Sequence, residues 1–229
     1  MQSVVGLVPG QLSVKYFTDP LCCWSWTFEP VFQQLKDEMG KVLSIQYHMC
    51  GLVSSWENYN DTVNAVSKPI QMGPIWLQAK QLSGMYINDK IWFTDPPASS
   101  YPACTAVKCA GLQSREAEEL YLFKLREAVM VHGKNIAKRE VLMEIATKLA
   151  KEHPYLLNMS VFEKDLTSDM VIDAFRNDMQ EAANLGITRF PTLQVKAAGK
   201  KEYLLLTGTR PYSALRASIQ SVLDKEPMY

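Results

Sequence analysis

The sequence predicts an α/β protein in which a helical segment interrupts a small structure of strands and helices. Strand-like runs occur near both ends of the chain, the residues between them have helical periodicity, and a cysteine stands where the first strand gives way to a helix. We therefore expect a discontinuous domain made of residues 11–51 and 168–225, and an inserted helical domain of residues 52–167.

The first block has the order strand, helix, strand. Residues 14–18 form a strand-like run, and the turn Asp19-Pro20-Leu21 follows it. An amphipathic helix begins at Cys22, because apolar residues recur at helical spacing from there as far as Met39. The second strand, residues 42–49, alternates apolar and polar side chains, which predicts that one of its faces is buried.

The middle block, roughly residues 52–167, has mostly helical patterns. Residues 116–132 and 139–151 each carry apolar side chains at helical spacing. No internal repeat or low-complexity segment is evident in the chain.

The third block combines helices with a hairpin. Its first helix is predicted to be capped near residues 168–169 and to stop at Gly186. Two strands, residues 192–196 and 202–206, are joined by a short turn. A last helix is predicted for residues 211–225, since its apolar side chains lie on one face.

Composition indicates a globular protein with a substantial core. The chain has 229 residues, 47% of them hydrophobic, and 24 basic residues balance 24 acidic ones, which argues against nucleic-acid or acidic-membrane partners. No apolar run approaches the ~18 residues of a membrane span. Residues 1–10 lack the basic segment of a secretory signal, and the five cysteines have no disulfide-framework spacing. A reducing cytoplasm is therefore the expected compartment.

The motif Cys22-Cys23-Trp24-Ser25 carries the chemistry. At a strand-to-helix junction, the Cys22 sulfur meets unpaired N–H groups and the positive end of the helix dipole, and both favour the thiolate. In a Cys-x-x-Cys site the second cysteine resolves the mixed disulfide that the first one forms. Ser25 cannot do this, although its hydroxyl can donate a hydrogen bond to the thiolate. Cys23 is expected to face the helix packing, because a disulfide between adjacent cysteines closes a strained ring.

Five motifs carry a resemblance to a known family. In order, they are Asp19-Pro20-Leu21-Cys22-Cys23-Trp24-Ser25-Trp26, Ser100-Tyr101-Pro102-Ala103-Cys104-Thr105-Ala106-Val107-Lys108, Leu125-Arg126-Glu127-Ala128, Asn135-Ile136 and Gly186-Ile187-Thr188-Arg189-Phe190-Pro191-Thr192-Leu193. On these residues the chain resembles the DsbA-like branch of the thioredoxin superfamily. More narrowly, it resembles cytoplasmic FrnE-type oxidoreductases and the adaptors that deliver the regulator Spx to a protease. The resemblance spans about residues 13–223 and implies a thioredoxin-like fold with an inserted α-helical domain. Ser25 departs from the family pattern, which argues against oxidase activity of the usual dithiol kind.

Phe190-Pro191 is the second chemical anchor that the resemblance implies. The bond is expected to be cis and to lie opposite Cys22, whereas without the resemblance a trans proline would be the default. The N–H and C=O of Phe190 would then be free to pair with an extended substrate or with glutathione, as an added strand.

Other residues are weaker candidates for ligand contact. Of the two tryptophans beside Cys22, we expect one to enter the core and the other to form an apolar wall for substrate, with Trp24 as the candidate for the wall. Ser99 and Ser100 belong first to a turn. The resemblance to glutathione-using enzymes implies that such a loop faces the active site, which makes both serines candidate ligand contacts.

The remaining aromatic, cysteine and histidine residues are expected to be structural. An aromatic and methionine set of the insertion could line a groove facing Cys22, but a core role is favoured; it consists of Trp56, Met72, Trp76, Met85, Trp92 and Tyr101. Cys50, Cys104 and Cys109 are expected to be core thiols. The three histidines, His48, His132 and His153, share no metal-ligand spacing, so no metal site is predicted.

Two classes of function remain open. The first is a thiol–disulfide oxidoreductase or isomerase in which Cys22 attacks and Ser25 hydrogen-bonds the thiolate, acting on a protein or a small thiol or disulfide. It would have no tightly bound cofactor and would use glutathione as a co-substrate. The similar kappa-class glutathione transferases and 2-hydroxychromene-2-carboxylate isomerases imply that the fold can also use glutathione without redox change. The second is a non-catalytic adaptor for a protein partner. The loss of one cysteine is compatible with both, and we favour the enzyme.

Overall fold

The computed structural model describes residues 12–224. The expectations for residues 1–10, for Gln11 as a domain limit and for Lys225 as a helix end lie outside the described residues. Within them the elements follow in the order β1 (Leu12–Thr18), α1 (Cys23–Met39), β2 (Leu43–Met49), α2 (Met72–Ser83), α3 (Ile91–Thr94), α4 (Tyr101–Gly111), α5 (Arg115–Met130), α6 (Arg139–Glu152), α7 (Met159–Asp165), α8 (Asp169–Asn184), β3 (Thr192–Ala197), β4 (Leu204–Thr207) and α9 (Tyr212–Leu223).

The described strands form one mixed sheet in the order β2-β1-β3-β4. β1 runs parallel to β2 and antiparallel to β3, and β4 pairs antiparallel with β3. This confirms the predicted α/β class and the four predicted strands. β4 begins two residues later than expected, because its pairing with β3 starts at Leu204 opposite Val195 while Glu202 and Tyr203 stay exposed.

Helix ends follow the local chemistry that the sequence predicts. Cys22 is the N-cap of α1, and Ser168 is the N-cap of α8, where its hydroxyl accepts a hydrogen bond from the Val171 N–H at 3.4 Å. After α8 the chain reverses at Gly186, whose φ of 65° lies in the left-handed region that suits glycine. Its N-cap position places Cys22 between the end of β1 and the first turn of α1.

Three tryptophans of the insertion pack together in its interior. Trp92 lies edge-to-face with both Trp56 and Trp76, with ring centroids 5.9 and 5.2 Å apart, and Trp76 and Trp92 are buried. Trp76 and Trp92 therefore have the favoured core role, whereas the half-buried Trp56 packs against the core from its edge. One hydrophobic cluster includes side chains of the insertion and of the sheet, so the limits between the two predicted domains remain a prediction.

A cluster of polar side chains joins the insertion to β2. The Lys108 ammonium lies 2.6 Å from Glu118 and 3.1 Å from Asp178. Asp178 also accepts a hydrogen bond from the Met49 N–H and lies 3.1 Å from His48 Nδ1. Because these groups are largely desolvated, each needs the others as partners, which fixes α4, α5 and α8 against the sheet. His48 exposes 7% of its surface, so it is more buried than the surface or partly buried position predicted for it, and its structural role stays a prediction.

Candidate active site

The Cys22 sulfur lies where α1 begins. The residue has an extended backbone, with φ −79° and ψ 106°, and its Sγ accepts a hydrogen bond from the Ser25 N–H at 3.4 Å. The sulfur therefore occupies the capping position that a serine or aspartate oxygen usually fills. The thiol also donates to the carbonyl oxygen of Phe190, 3.6 Å away. A segment 168 residues further along the chain thus closes on the cysteine.

The loop that carries Phe190 is held in place by β4 and by its own turn. The Phe190–Pro191 peptide bond is cis. The Pro191 carbonyl accepts a hydrogen bond from the Gly208 N–H at 2.8 Å, and the Thr192 hydroxyl donates to the Arg189 carbonyl at 2.7 Å. The Phe190 N–H has no hydrogen-bond partner within residues 12–224. A main-chain acceptor therefore lies beside the sulfur, and the same residue carries an N–H without a partner in the described part of the chain.

Ser25 belongs to a chain of buried polar groups. Its hydroxyl oxygen lies 2.9 Å from the Thr18 hydroxyl, which also accepts a hydrogen bond from the Arg126 guanidinium. Arg126 is in turn paired with Glu29 at 2.7 Å. Sequence reasoning assigned no role to the other three members of this chain, Thr18, Arg126 and Glu29. Glu29 follows Ser25 by four residues and so lies on the same helix face, which was the one available sign.

Burial raises the pKa of the Cys22 thiol above its usual range. Hydrogen bonds from the Ser25 hydroxyl and N–H lower this pKa, the Asp19 carboxylate raises it further, and the Arg126 charge lowers it. Cys22 exposes only 5% of its surface. The expected stabilisation of the thiolate at the helix N-terminus is therefore outweighed by desolvation, which favours the protonated thiol.

Asp19 organises the junction beneath the cysteine, although the sequence suggested only a turn. One carboxylate oxygen accepts a hydrogen bond from the Leu21 N–H at 2.8 Å. The other accepts from the Leu52 N–H at 2.6 Å, the Ser100 hydroxyl at 2.9 Å and the Cys104 thiol at 3.3 Å. Burial raises the pKa of Asp19, and these hydrogen bonds oppose the shift. The long-range partners were missed, because only the fold brings them together.

The two candidate serines of the insertion are engaged with protein groups. The Ser100 side chain is fully buried, where it donates to Asp19 and accepts from the Val53 N–H at 3.1 Å. The Ser99 hydroxyl donates to the Val53 carbonyl at 2.9 Å. Ser100 offers no exposed atom to a ligand in this arrangement, because it ties the insertion to the Asp19 turn. Ligand contact by the half-buried Ser99 stays a prediction.

Of the residues that follow Cys22, some are buried in the core and one lies half-buried at its edge. Trp26 is buried against Phe123, with ring centroids 5.9 Å apart, and its indole N–H donates to the Tyr86 carbonyl. Trp24 is half-buried at the edge of the core, so it has surface available for a substrate. Cys23 exposes 3% of its surface, and burial raises its pKa well above the usual thiol range. Both observations favour a packing role for Cys23.

All five cysteines lie in the described part of the chain, and all are free thiols. Cys104 and Cys109 are buried as expected, whereas Cys50 is only half-buried, because it lies at the end of β2 and not within a helix face. Within residues 12–224, no three histidine, cysteine or acidic side chains are grouped in a way that could hold a metal ion. In the same range no helix has the length and apolar character needed to cross a membrane.

The sheet order, the cysteine that caps the first helix and the cis-proline loop facing it define a thioredoxin-fold protein of the DsbA-like type with a helical insertion. A family model described as Thioredoxin matches residues 16–217. The chain belongs to this family and is a DsbA-like member of the thioredoxin superfamily.

Similar proteins fall into two groups. The ClpXP adapter protein SpxH of Bacillus subtilis (strain 168) is 30% identical to this chain over 219 residues, covering 94% of this chain and 69% of SpxH. A structure from Nitrosomonas europaea, provisionally described as a protein disulfide isomerase, has a TM-score of 0.77 and 23% identity, covering 94% of this chain and 99% of the other. The cytosolic disulfide reductase DsbM from Pseudomonas aeruginosa, solved with GSH, has a TM-score of 0.66 and 19% identity, covering 91% and 99%. These two structures bear on the fold alone.

Proposed function

We propose that this protein is a thiol–disulfide oxidoreductase or isomerase that acts through the single thiol of Cys22, with glutathione as an external thiol. One observation carries the proposal. The sulfur caps α1 and lies 3.6 Å from the Phe190 carbonyl, beside a main-chain N–H that has no partner within residues 12–224. Nucleophile and peptide-binding groups are therefore adjacent, which is the arrangement that attack on a bound disulfide requires.

The reaction begins with attack of the Cys22 thiolate on one sulfur of a substrate disulfide. A bond forms between Sγ and that sulfur, the substrate S–S bond breaks, and the leaving thiolate takes up a proton. Ser25 cannot continue the reaction. A glutathione thiolate attacks the Cys22 sulfur and releases the reduced substrate, which leaves Cys22 joined to glutathione. A second glutathione thiolate then attacks the sulfur of that bound glutathione, so that the bond to Sγ breaks and oxidised glutathione and the Cys22 thiolate are released. In isomerisation, another thiol of the substrate attacks instead, and no net electrons are transferred.

Phe190 would hold the substrate backbone during this exchange. Its N–H and C=O can pair with an extended chain in the manner of an added strand. In the resting state the Cys22 thiol donates to this carbonyl. Loss of the proton removes that hydrogen bond, so formation of the nucleophile and release of the binding group are coupled. Trp24 would supply an apolar surface next to the same site.

Two observations support glutathione and a reducing compartment. The related fold of DsbM, a cytosolic disulfide reductase, has been solved with GSH. Five cysteines remain free here, including half-buried Cys50. Both support the proposal that the protein works in the cytoplasm, where glutathione is available and structural disulfides are rare.

The test is mass spectrometry after incubation with oxidised glutathione. We expect wild type to gain one glutathionyl group on Cys22, and Cys22→Ala to gain none at that peptide. Cys23→Ala is the matched control and should keep the adduct; peptide fragmentation distinguishes the two adjacent sulfurs. If folded wild type stays unmodified at Cys22 while denatured protein reacts, the proposed enzyme activity is wrong.

A second candidate is an adaptor that binds a protein partner without exchanging bonds. The SpxH relative, named a ClpXP adapter, favours it, as does the burial that raises the pKa of Cys22. The test is ATP-dependent degradation of Spx by ClpXP with and without this protein. An adaptor should accelerate degradation equally as wild type and as Cys22→Ala. An oxidoreductase should have no effect, or an effect that Cys22→Ala abolishes.

A further inference from the structure

We propose that Arg126 is a positioning residue for Cys22, acting through two buried hydroxyls, those of Thr18 and Ser25, which direct a hydrogen bond at the sulfur. The inference rests on the proposed function only in taking Cys22 as the reactive thiol. Arg126 lies on α5 of the helical insertion, Thr18 ends β1, and Ser25 lies in the first turn of α1. The insertion would thus reach the reactive sulfur through the interior of the protein.

The direction of each hydrogen bond follows from the chemistry of the groups. A guanidinium has only donors, so Arg126 Nη2 must donate to Thr18 Oγ1. With that lone pair occupied, the Thr18 hydroxyl can donate its own hydrogen to Ser25 Oγ, 2.9 Å away. The Ser25 hydroxyl keeps its own hydrogen, and the Ser25 N–H already donates to the Cys22 sulfur at 3.4 Å, so the hydroxyl lies in the residue next to the sulfur. Donation from this hydroxyl to the sulfur lowers the thiol pKa. Each donation polarises the next hydroxyl, which strengthens the last hydrogen bond of the chain.

Because its members are buried, this chain of hydrogen bonds is important for the Cys22 sulfur. Arg126 exposes 1% of its side chain. Its charged partner is Glu29, whose Oε2 lies 2.7 Å from Arg126 Nη1. Thr18 and Ser25 have no exposed surface. Water therefore cannot replace a missing hydroxyl between Arg126 and the sulfur without a cavity opening. A buried thiolate depends on such donors, because solvent does not stabilise it.

The other titratable groups that interact with Cys22 do not provide this hydrogen bond. Asp19 raises the Cys22 pKa by its negative charge. Four other titratable groups interact electrostatically with Cys22, and all of them are neutral at pH 7. They are Tyr16 in β1, Cys23 in α1, Cys50 at the end of β2 and Tyr59 in the following loop. Arg126 supplies the cation, with Glu29 as its counter-ion.

The decisive variant is Thr18→Val, which removes one hydroxyl at nearly constant size. The readout is the pKa of Cys22, taken from the pH dependence of its alkylation by iodoacetamide, with the modified peptide identified by mass spectrometry. We expect the pKa to rise by about 0.5–1 unit, which is about three- to tenfold less thiolate at a fixed lower pH. In a Ser25→Ala background the same substitution should have no further effect, because the link to the sulfur is already broken.

One control variant tests whether the effect is specific. Thr27→Val removes a hydroxyl of the same helix that donates to the Trp24 carbonyl at 3.0 Å. It should leave the Cys22 pKa unchanged within about 0.2 unit, a limit set well below the expected shift (about 0.5 unit).

The sign of the Thr18→Val shift separates two arrangements. If Ser25 instead donates to Thr18 in the wild type, removing Thr18 frees the serine hydroxyl for the sulfur, and the pKa falls. A fall, no change, or an equal rise in the Ser25→Ala background would overturn the proposal. Far-ultraviolet circular dichroism establishes that each variant is folded.

A second pair of variants addresses Arg126 directly. Arg126→Met combined with Glu29→Gln removes both charges of the pair, so that neither is left buried alone. We expect the pKa of Cys22 to rise, and to rise less when Thr18→Val is already present. An equal rise in both backgrounds would mean that the charge acts through space and not through the hydroxyls. Because the readout is a thiol pKa, it decides this proposal even if Cys22 forms no glutathione adduct.

Discussion

Ser25→Cys should turn a site that needs an external resolving thiol into one that resolves its own mixed disulfide. Positions 22 and 25 are one helical turn apart, and the Ser25 N–H already donates to the Cys22 sulfur at 3.4 Å. The two side chains therefore leave the backbone on the same side of α1. A disulfide length of ~2.05 Å is within reach with little backbone movement.

The size of the gain follows from comparing resolving thiols. Wild type depends on an external thiol, which the reductant supplies in the assay at about 1 mM. Even an effective concentration of about 0.1 M for the introduced thiol, far below the ~10⁵ M reached by well-oriented groups, would make resolution about 100-fold faster. The variant also loses the hydroxyl that accepts from Thr18 at 2.9 Å, which costs about 1 kcal/mol of folding free energy.

The assay is reduction of insulin disulfides driven by a dithiol reductant, followed by turbidity. The matched control is Thr27→Cys, which adds a cysteine to the same helix on a different side from Cys22. We expect Ser25→Cys to accelerate the reaction and Thr27→Cys to behave as wild type. The reasoning is refuted if the folded variant joins Cys22 to the introduced cysteine, seen as a loss of two hydrogens, yet is no faster than wild type.

Three further outcomes are expected. Asp19→Ala should lower the free energy of unfolding by about 3 kcal/mol in urea titrations, because two main-chain N–H groups and the Ser100 hydroxyl lose their acceptor; a loss below about 1 kcal/mol would contradict this. Gly51→Ala should cost about 2–4 kcal/mol in the same measurement, since φ is 63° and the new Cβ would lie 2.7 Å from the Tyr101 ring; an unchanged midpoint would be inconsistent with that contact. Alkylation of Cys22 should keep rising about tenfold per pH unit beyond the ordinary thiol value of 9.0, because its raised pKa keeps it protonated; a plateau below pH 8 would show that burial does not control the thiol.

The fold was largely predictable because its signals are local. Helix periodicity, the Ser168 cap and the stop at Gly186 depend on neighbouring residues, and the structure has all three. The start of β4 was harder to predict from the sequence. Which residues join an edge strand depends on its register with the neighbouring strand, and here pairing begins only at Leu204 opposite Val195.

The positions of the main-chain segments that form the site could be predicted from the sequence. The positions of Cys22 and Phe190 follow from a strand-to-helix junction and from a resemblance. The groups that shift the Cys22 pKa could not be predicted in this way. Arg126 contacts Thr18, which is 108 residues away in the sequence, and Asp19 contacts Ser100, which is 81 residues away. Desolvation likewise depends on the packing of the whole site, so the sequence suggested a favoured thiolate where the structure has a raised pKa.

Position 25 can serve the site in two ways that exclude each other. A cysteine there can resolve a mixed disulfide, but its S–H is a weak hydrogen-bond donor. A serine cannot resolve, but it can pass the polarisation of Arg126 and Thr18 to the Cys22 sulfur. The Ser25→Cys variant should therefore gain turnover while the pKa of Cys22 rises. If both the turnover and the thiolate fraction increased, the hydroxyl chain would have no part in stabilising the thiolate, and serine at this position would be no more than a lost resolving cysteine.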